Sequence, residues 1–487
     1  MFDREISDAA GNLIPNDHLK ILDYLIAECS RKGLYMMITP IAWWRSPNQL
    51  ASSFSNQVPK QALPMWPDMW PAEANYIRQL LTHINHYTGR RMVDEPCVAL
   101  FEGMNEPEYW TYRDITSGNP RVQYELTPEQ QRRGMEGVVN TWCKFAPQEE
   151  WRTPEAFAVF RYEILLRYIN TMIAAIRDSG GKQPIGYSSF YIHEPEIAQA
   201  VADSHCDAVT LGAYPGGMEK ILDHVNLLGK VWNDGDAPDL LGPLDARFAR
   251  KARLVYEFDA ACMIRQVIMY PYLAQLFRRI GVQVACQFQY DTKDLAAFNE
   301  AWPQHYLNAW HTPAKMISFL IAGEAFRRTP RGARFEINGD EMVASPLAYS
   351  FSRNVALFCA PDCYMQTGPT DWRPLALPQH PARITSIGDC KYFQYAGNGI
   401  VDVRIAGGIA AFQVYPDVER PSHLLTGDFR VDMTGTVDNP LTILHRHERL
   451  SDLRMLGWTD ESADHMANGL LLVRKVKDSD EPNGAAS

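Results

Sequence analysis

The pattern of apolar and polar positions divides the chain into two regions of different periodicity. From about residue 13 to 327, short apolar runs alternate with stretches whose apolar residues recur at helical spacing. The runs open near residues 35, 98, 184, 208, 252 and 282, and a helical pattern follows each of them. Strands that alternate with helices are typical of a parallel sheet with helical crossovers.

A closed barrel of this type has eight strands, and only six are visible in the pattern. If Glu106 ends the fourth strand and Glu257 the seventh, the last six strands are present in order and the first two are missing. We therefore predict a TIM-type (β/α)8 barrel that lacks its first two strands in this sequence. The alternative is a complete but open sheet, which would leave a parallel edge exposed.

From about Arg331 the helical periodicity stops, and short β-rich runs appear between Gly, Pro and Asp residues. This change predicts three parts: a barrel domain at 1–330, an all-β, sandwich-like domain at 331–476, and a disordered tail at 477–487. The long segment 108–152 between two barrel elements exceeds a plain connection, so we expect it to build binding loops.

Composition and charge exclude some partners. The formal net charge of -11 leaves no electrostatic footprint for nucleic acid. No apolar run reaches the roughly 20 residues that cross a bilayer. The first residues lack a basic start and an apolar core, so the given chain opens without a signal peptide. The compartment stays open, since a secreted or periplasmic location agrees with a missing N-terminal part.

The cysteine and histidine patterns indicate neither a disulfide framework nor a metal site. The nine cysteines are scattered at odd spacings. No His-x-His pair or cluster of His and Asp falls at the predicted strand ends. We therefore expect no metal and no cofactor, which argues against a metal-dependent barrel hydrolase.

Two of the predicted strands end in a carboxylate. The stretch 98–110 reads VALFEGMNEPEYW and places Glu106 after an apolar run, just before a proline. The stretch 252–260 reads ARLVYEFDA and carries Glu257. Parallel barrels present catalytic groups at the carboxyl ends of their strands. Two such carboxyls are the minimum for glycoside hydrolysis, with one as acid and the other as nucleophile or base.

The segments 101–107, FEGMNEP, and 256–258, YEF, resemble those around the two catalytic carboxyls of retaining (β/α)8-barrel glycoside hydrolases. These form the large clan that includes endoglucanases, β-mannanases and β-galactosidases. The resemblance implies that Glu106 is the acid/base and Glu257 the nucleophile. It also implies that Asn105 binds the sugar 2-hydroxyl and that Tyr214 holds the nucleophile.

The sequence departs from the family at three places, one of which is the end of the third strand, where Trp43-Trp44 stand and polar residues are frequent in relatives. The arginine that usually follows the second strand has no counterpart, because that strand is absent. The eighth strand commonly presents a tryptophan beneath the sugar, and the matching stretch here reads Gln287-Phe288-Gln289. If Gln287 and Gln289 share the inward face by the period of two, they can bind sugar hydroxyls. Further candidate sugar contacts, each of which is as readily a packing residue, are Trp43, Trp44, Trp110 and Trp302.

The sequence thus predicts a glycosidase that cleaves β-glycosidic bonds in oligo- or polysaccharides by a retaining double displacement. The alternative is a carbohydrate-binding barrel protein with weak or no turnover. In both readings the partner is a carbohydrate. The sugar, the linkage, exo or endo action and the oligomeric state are not defined by these residues.

Overall fold

Two compact units make up the chain in this computed structural model. The first comprises Met1–Gly212 and Pro238–Tyr256, and the second Ala213–Ala237 and Glu257–Ser487. The predicted boundary at residue 330 falls inside the second unit. The structure describes residues 2–42, 50–117, 126–188, 194–214, 246–259, 266–292, 307–336, 340–368, 370–388, 390–392, 399–406, 409–415, 459–460 and 470–474.

The first six strands form one sheet in the order of the chain, as in part of a parallel barrel. They are β1 (Met36–Ile38), β2 (Val98–Glu102), β3 (Ile185–Ser188), β4 (Ala208–Ala213), β5 (Ala252–Phe258) and β6 (Val284–Gln287). In the first unit β1, β2, β3 and β4 pair in parallel, with Phe101 opposite Ile185 and Tyr187 opposite Val209. The predicted partial TIM barrel is confirmed, and each strand lies where its apolar run predicted it.

Nine α-helices are described. They are α1 (Phe2–Glu5), α2 (Asp17–Lys32), α3 (Trp70–Thr82), α4 (Tyr112–Ser117), α5 (Pro128–Phe145), α6 (Pro154–Asp178), α7 (Pro195–Asp203), α8 (Met269–Arg279) and α9 (Pro313–Arg328). Proline begins α5, α6, α7 and α9, because the first turn of a helix leaves its N–H groups unpaired. Among the described helices, none has the length and apolarity needed to cross a bilayer.

The core of the first unit lies around the sheet and helices α3 and α6. Helix α6 buries an apolar stripe at helical spacing, which explains its 25-residue length without a break. The stripe consists of Phe157, Phe160, Ile164, Leu165, Tyr168, Ile169, Met172, Ile173 and Ile176. The rings of Trp70 on α3 and Tyr168 on α6 lie 5.7 Å apart, so the two helices pack directly against one another.

Helix α5, in the long insertion after β2, packs on the segment that precedes α3. A side chain on Gly134 would begin 2.4 Å from Pro59 Cδ, and one on Gly137 only 2.2 Å from the Trp66 ring. The two glycines therefore allow close contact on one face of the helix. Thr127 and Gln130 form a capping box that fixes the start of this helix. Within the insertion predicted to build binding loops, one face of α5 thus packs against the protein.

The β-rich region forms a second sheet, mainly antiparallel, in the order β14-β15-β13-β12-β11-β10-β9-β8-β7. Among the described strands of this second sheet, only β10 and β11 pair in parallel. The strands are β7 (Glu341–Ala344), β8 (Leu347–Ser350), β9 (Val355–Ala360), β10 (Cys363–Gln366), β11 (Arg383–Ile387), β12 (Ile400–Ala406), β13 (Ile409–Tyr415), β14 (Thr459–Asp460) and β15 (Leu470–Arg474).

Helix α9 packs against this sheet within the second unit. Its Arg328 donates to both carboxylate oxygens of Asp362, at 2.7 and 2.9 Å, and lies over the Phe358 ring. The second sheet that the β-rich runs predicted is confirmed. Among the described residues, strands β7 to β15 form one sheet, and helix α9 packs on it. The predicted tail at 477–487 lies outside the described residues.

The close contact at Gly137 predicts opposite effects of the same substitution on two helices. Gly137→Ala should lower the stability of the first unit by about 1 to 3 kcal/mol, because the methyl group overlaps Trp66. In α9, the nearest atom to a Cβ on Gly323 is the mobile Nη1 of Arg327, at 3.5 Å. Gly323→Ala should therefore raise helix stability by about 0.5 to 1 kcal/mol. Thermal unfolding of both variants tests the contrast, and equal melting shifts of one sign would contradict it.

Candidate active site

A buried carboxylate at the end of β2 ties three strands together. Glu102 is buried, and its two oxygens accept hydrogen bonds from Thr39 Oγ1 at 3.0 Å and Thr210 Oγ1 at 2.7 Å. Thr39 follows β1 and Thr210 lies on β4, so the second bond passes over β3. Gly186 leaves the space for it, since a Cβ there would lie 2.7 Å from the Thr210 methyl. The network fixes the point from which the next residues leave the sheet.

The chain turns sharply at the predicted acid/base. Asn105 donates its backbone N–H to Ile41 O at 2.9 Å, which keeps the segment beside β1. Glu106 then has a φ of 38°, in the left-handed region that few residues other than glycine adopt. Such a conformation persists only where the surrounding contacts hold it, and it is found often at functional sites. Asn105 is 7% exposed, so its side chain is buried close to Glu106.

The surroundings of Glu106 favour its protonated form. Burial raises the pKa of the Glu106 carboxyl, the nearby Lys60 lowers it, and Glu108 raises it again, with a net shift upward. A carboxyl that keeps its proton toward neutral pH is suited to act as a general acid. The side chain is only half-buried, so a substrate can still reach it.

Sequence reasoning missed Lys60, Gln61 and Glu108. Lys60 is 3% exposed, and Gln61 donates through Nε2 to the Glu108 carboxylate. Burial lowers the pKa of Lys60, while the carboxyls of Glu106, Glu108, Asp3 and Glu102 raise it. The available signal was a lysine in the mostly apolar stretch 58–66, VPKQALPMW, since lysine is almost never buried without a charged neighbour.

Beneath this turn lies a second acidic side chain, on α3. Glu73 is fully buried, and its Oε1 accepts a hydrogen bond from the Tyr168 hydroxyl at 2.7 Å. The same hydroxyl lies 3.5 Å from Met104 Sδ, two residues before Glu106. Burial raises the pKa of Glu73 to about 8, against the smaller effect of Tyr168. The side chain is therefore a neutral acid at physiological pH, which is compatible with its burial.

The predicted nucleophile, Glu257, lies on β5 and belongs to the second unit. Glu257 is half-buried, and its Oε2 accepts a hydrogen bond from the Tyr214 hydroxyl at 2.7 Å. Tyr214 follows β4, and its ring meets Phe288 edge-on at 6.5 Å. A hydroxyl donor of this kind stabilises a carboxylate charge and restricts its orientation.

A buried ion pair lies two residues beyond Glu257. Lys315 Nζ is 2.9 Å from both carboxylate oxygens of Asp259, and both side chains are buried. The Tyr270 hydroxyl donates to the same carboxylate. The Gln287 amide donates to the Tyr270 hydroxyl at 3.2 Å and to Asp259 at 3.4 Å. Gln287 therefore belongs to this network, and its amide N–H is engaged within the protein.

The structure describes the surroundings of three predicted sugar contacts. Strand β6 ends at Gln287, so Gln289 lies beyond the strand that carries Gln287. Trp110 is 0% exposed, and a fully buried indole offers no face to a sugar, so we interpret it as a core residue. Trp43, Trp44 and Trp302 lie outside the described residues.

The structure thus gathers the predicted residues in two sets. Asn105 and Glu106 lie in the first unit with Lys60 and Glu108, whereas Tyr214 and Glu257 lie in the second. Within the ranges that the structure describes, no group of three or more His, Cys, Asp and Glu side chains could hold a metal ion.

Comparisons with known proteins return structures only. No family model and no curated protein matches the chain. An endo-1,4-beta-mannanase from Rhizomucor miehei has a TM-score of 0.43 at 13% identity, over 66% of this chain and 80% of that one. An endo-beta-1,4-mannanase from Thermotoga petrophila has a TM-score of 0.41 at 12% identity, over 81% and 78%. An endo-beta-1,4-glucanase from Xanthomonas axonopodis pv. citri has a TM-score of 0.38 at 11% identity, over 65% and 81%.

The raised pKa of Glu73 predicts how stability depends on pH. The pKa of this carboxyl is near 4.5 in the unfolded chain and about 8 in the folded one. Its contribution to the free energy of unfolding is therefore complete below pH 4.5 and is lost as the pH rises to about 8. Glu73→Gln has no carboxyl to ionise, so its stability should not fall over this pH range. The difference in melting temperature between the variant and the wild type should therefore increase by about 5 °C from pH 5 to pH 8. Glu163→Gln, at an exposed position of the adjacent α6, is the control. A constant difference for Glu73→Gln across this range would contradict the assignment.

At 11 to 13% identity and TM-scores of 0.38 to 0.43, these likenesses carry no conclusion about the function of this chain.

Proposed function

We propose that this chain is a glycoside hydrolase that cleaves β-glycosidic bonds in oligo- or polysaccharides with retention of configuration. The observation that carries the proposal is the difference between the two strand-end carboxyls. Glu106 lies in surroundings that favour its proton, and Glu257 accepts a hydrogen bond from Tyr214. Paired carboxyls with opposed environments are the usual basis for dividing acid and nucleophile roles.

In the first step of the proposed mechanism, Glu257 attacks the anomeric carbon while Glu106 gives its proton to the leaving oxygen. The glycosidic bond breaks, and an ester bond joins the sugar to Glu257. In the second step, Glu106 takes a proton from water as the water attacks the same carbon and releases Glu257. Each attack inverts the anomeric centre, so the product keeps the starting configuration. Buried Asn105 is the proposed donor to the sugar 2-hydroxyl.

The carboxyl roles predict distinct losses. Glu257→Ala should abolish turnover, and Glu106→Ala should lower it by about 10²- to 10⁴-fold on substrates with poor leaving groups. Azide should partly rescue Glu106→Ala on activated aryl β-glycosides, because azide needs no base to attack the glycosyl–enzyme. Glu163→Ala, at an exposed position, is the matched control.

The assay uses aryl β-glycosides together with mannan and glucan oligosaccharides, and NMR identifies the first product anomer. Unchanged turnover in either carboxyl variant would remove that residue from the mechanism, and an inverted anomer would exclude the covalent intermediate. If the wild-type chain binds an oligosaccharide in calorimetry but hydrolyses none of the panel, the chain is a carbohydrate-binding protein instead.

The hydrogen bond from Tyr214 to Glu257 predicts a selective loss of kcat. Tyr214→Phe removes one donor to a charged group, worth about 1.5 to 3 kcal/mol, so kcat should fall by about 10- to 100-fold with little change in KM. Tyr290→Phe, at a tyrosine that is 55% exposed, is the control. Steady-state kinetics distinguish the two, and equal kcat values in both variants would exclude the role of Tyr214.

A further inference from the structure

The segment that carries Lys60 faces the turn that carries Glu106. Gln61, the next residue, donates through Nε2 to Glu108, two residues beyond Glu106. Lys60 itself is 3% exposed, so its side chain extends into the protein and not into water. Lys60 is thus a buried cation in the segment that contacts Glu108 through Gln61.

Helix α5 holds this segment from the other side. Gly134 lets the helix approach Pro59 and Ala62, where a Cβ would lie 2.4 and 3.2 Å from their side chains. Gln130 Nε2 also donates to Asn56 O at 2.5 Å. These contacts hold the backbone on both sides of Lys60, and the burial of its side chain restricts the ammonium group. That restriction is what a defined electrostatic role requires.

The charges around the pair are consistent with that role. Four carboxyls, those of Glu106, Glu108, Asp3 and Glu102, act on Lys60 and favour its ammonium form, while burial opposes it by lowering its pKa. Burial has the largest effect on the pKa of Glu106 and raises it. Lys60 has the second largest effect and lowers that pKa, whereas Glu108 raises it. Lys60 is therefore the main cation that counters the burial of Glu106.

We propose that Lys60 is a positioning residue that stabilises the deprotonated form of Glu106, so that one carboxyl can serve as acid in the first step and as base in the second. The inference rests on the proposed function and assigns the group that balances its acid/base. A buried carboxyl without a cation beside it would hold its proton too firmly to give it to the leaving oxygen in the first step. A cation beside it offsets that preference without removing the proton from the resting enzyme.

The pH profile of kcat/KM tests this proposal, because its basic limb reports the ionisation of the acid in the free enzyme. Lys60→Met and Lys60→Gln remove the charge and should both move the basic limb up by about one pH unit. Lys60→Arg keeps the charge and should leave the limb in place. Glu108→Gln removes a like charge instead and should move the limb down.

A control separates this role from simple packing. Gln61→Met disturbs the same segment without changing its charge, and it should leave the basic limb in place whatever its effect on kcat. If the neutral Lys60 variants show the wild-type limb, or if Lys60→Arg shifts it equally, the proposal is overturned.

The two proposals fail in different ways. An unshifted limb in the Lys60 variants, with azide still rescuing Glu106→Ala, would overturn the role of Lys60 and leave the hydrolase intact. Full activity in Glu106→Ala would overturn the hydrolase mechanism itself, whatever the Lys60 variants show.

Discussion

A buried carboxylate must be paired, and in the first unit that requirement organises the end of the sheet. Glu102 satisfies it with threonines from two other strand ends, across the space that Gly186 leaves open. A buried acceptor left without a donor in the same place would cost about 1 to 3 kcal/mol, so these hydrogen bonds stabilise the ends of the strands. The chain leaves the sheet after Glu102, and Glu106 has the left-handed conformation four residues later.

The strand order could be predicted because each parallel strand is a continuous apolar run followed by a helical pattern. The strand-end positions of Glu106 and Glu257 came from the same pattern, and the pairing of Tyr214 with Glu257 agrees with the family resemblance. For Gln289 periodicity gives less, since alternation places two residues on one face only while the strand continues, and β6 ends at Gln287. It could not distinguish a buried indole from an accessible one at Trp110.

Lys60 could not have been assigned from the sequence, because its neighbours are far away along the chain. Its segment precedes α3, the carboxyls follow β2, and the helix that fixes it lies in the insertion beyond. None of these three segments has an unusual sequence pattern, and only the packing of the folded chain brings them together. Within the insertion, Gly134 and Gly137 let helix α5 pack on the segment that carries Lys60, while its role in binding substrate stays a prediction.

The contact between α5 and the segment 59–66 has a consequence for adaptation. Helix α5 lies largely at the surface and carries exposed charged residues on its outer face. A change there that shifted the helix by a few tenths of an ångström would alter the gap between a lysine and a carboxyl without touching either. Substitutions on the outer face of α5 could then adjust the pH range of activity in acidic or alkaline habitats, while the reacting groups stay the same.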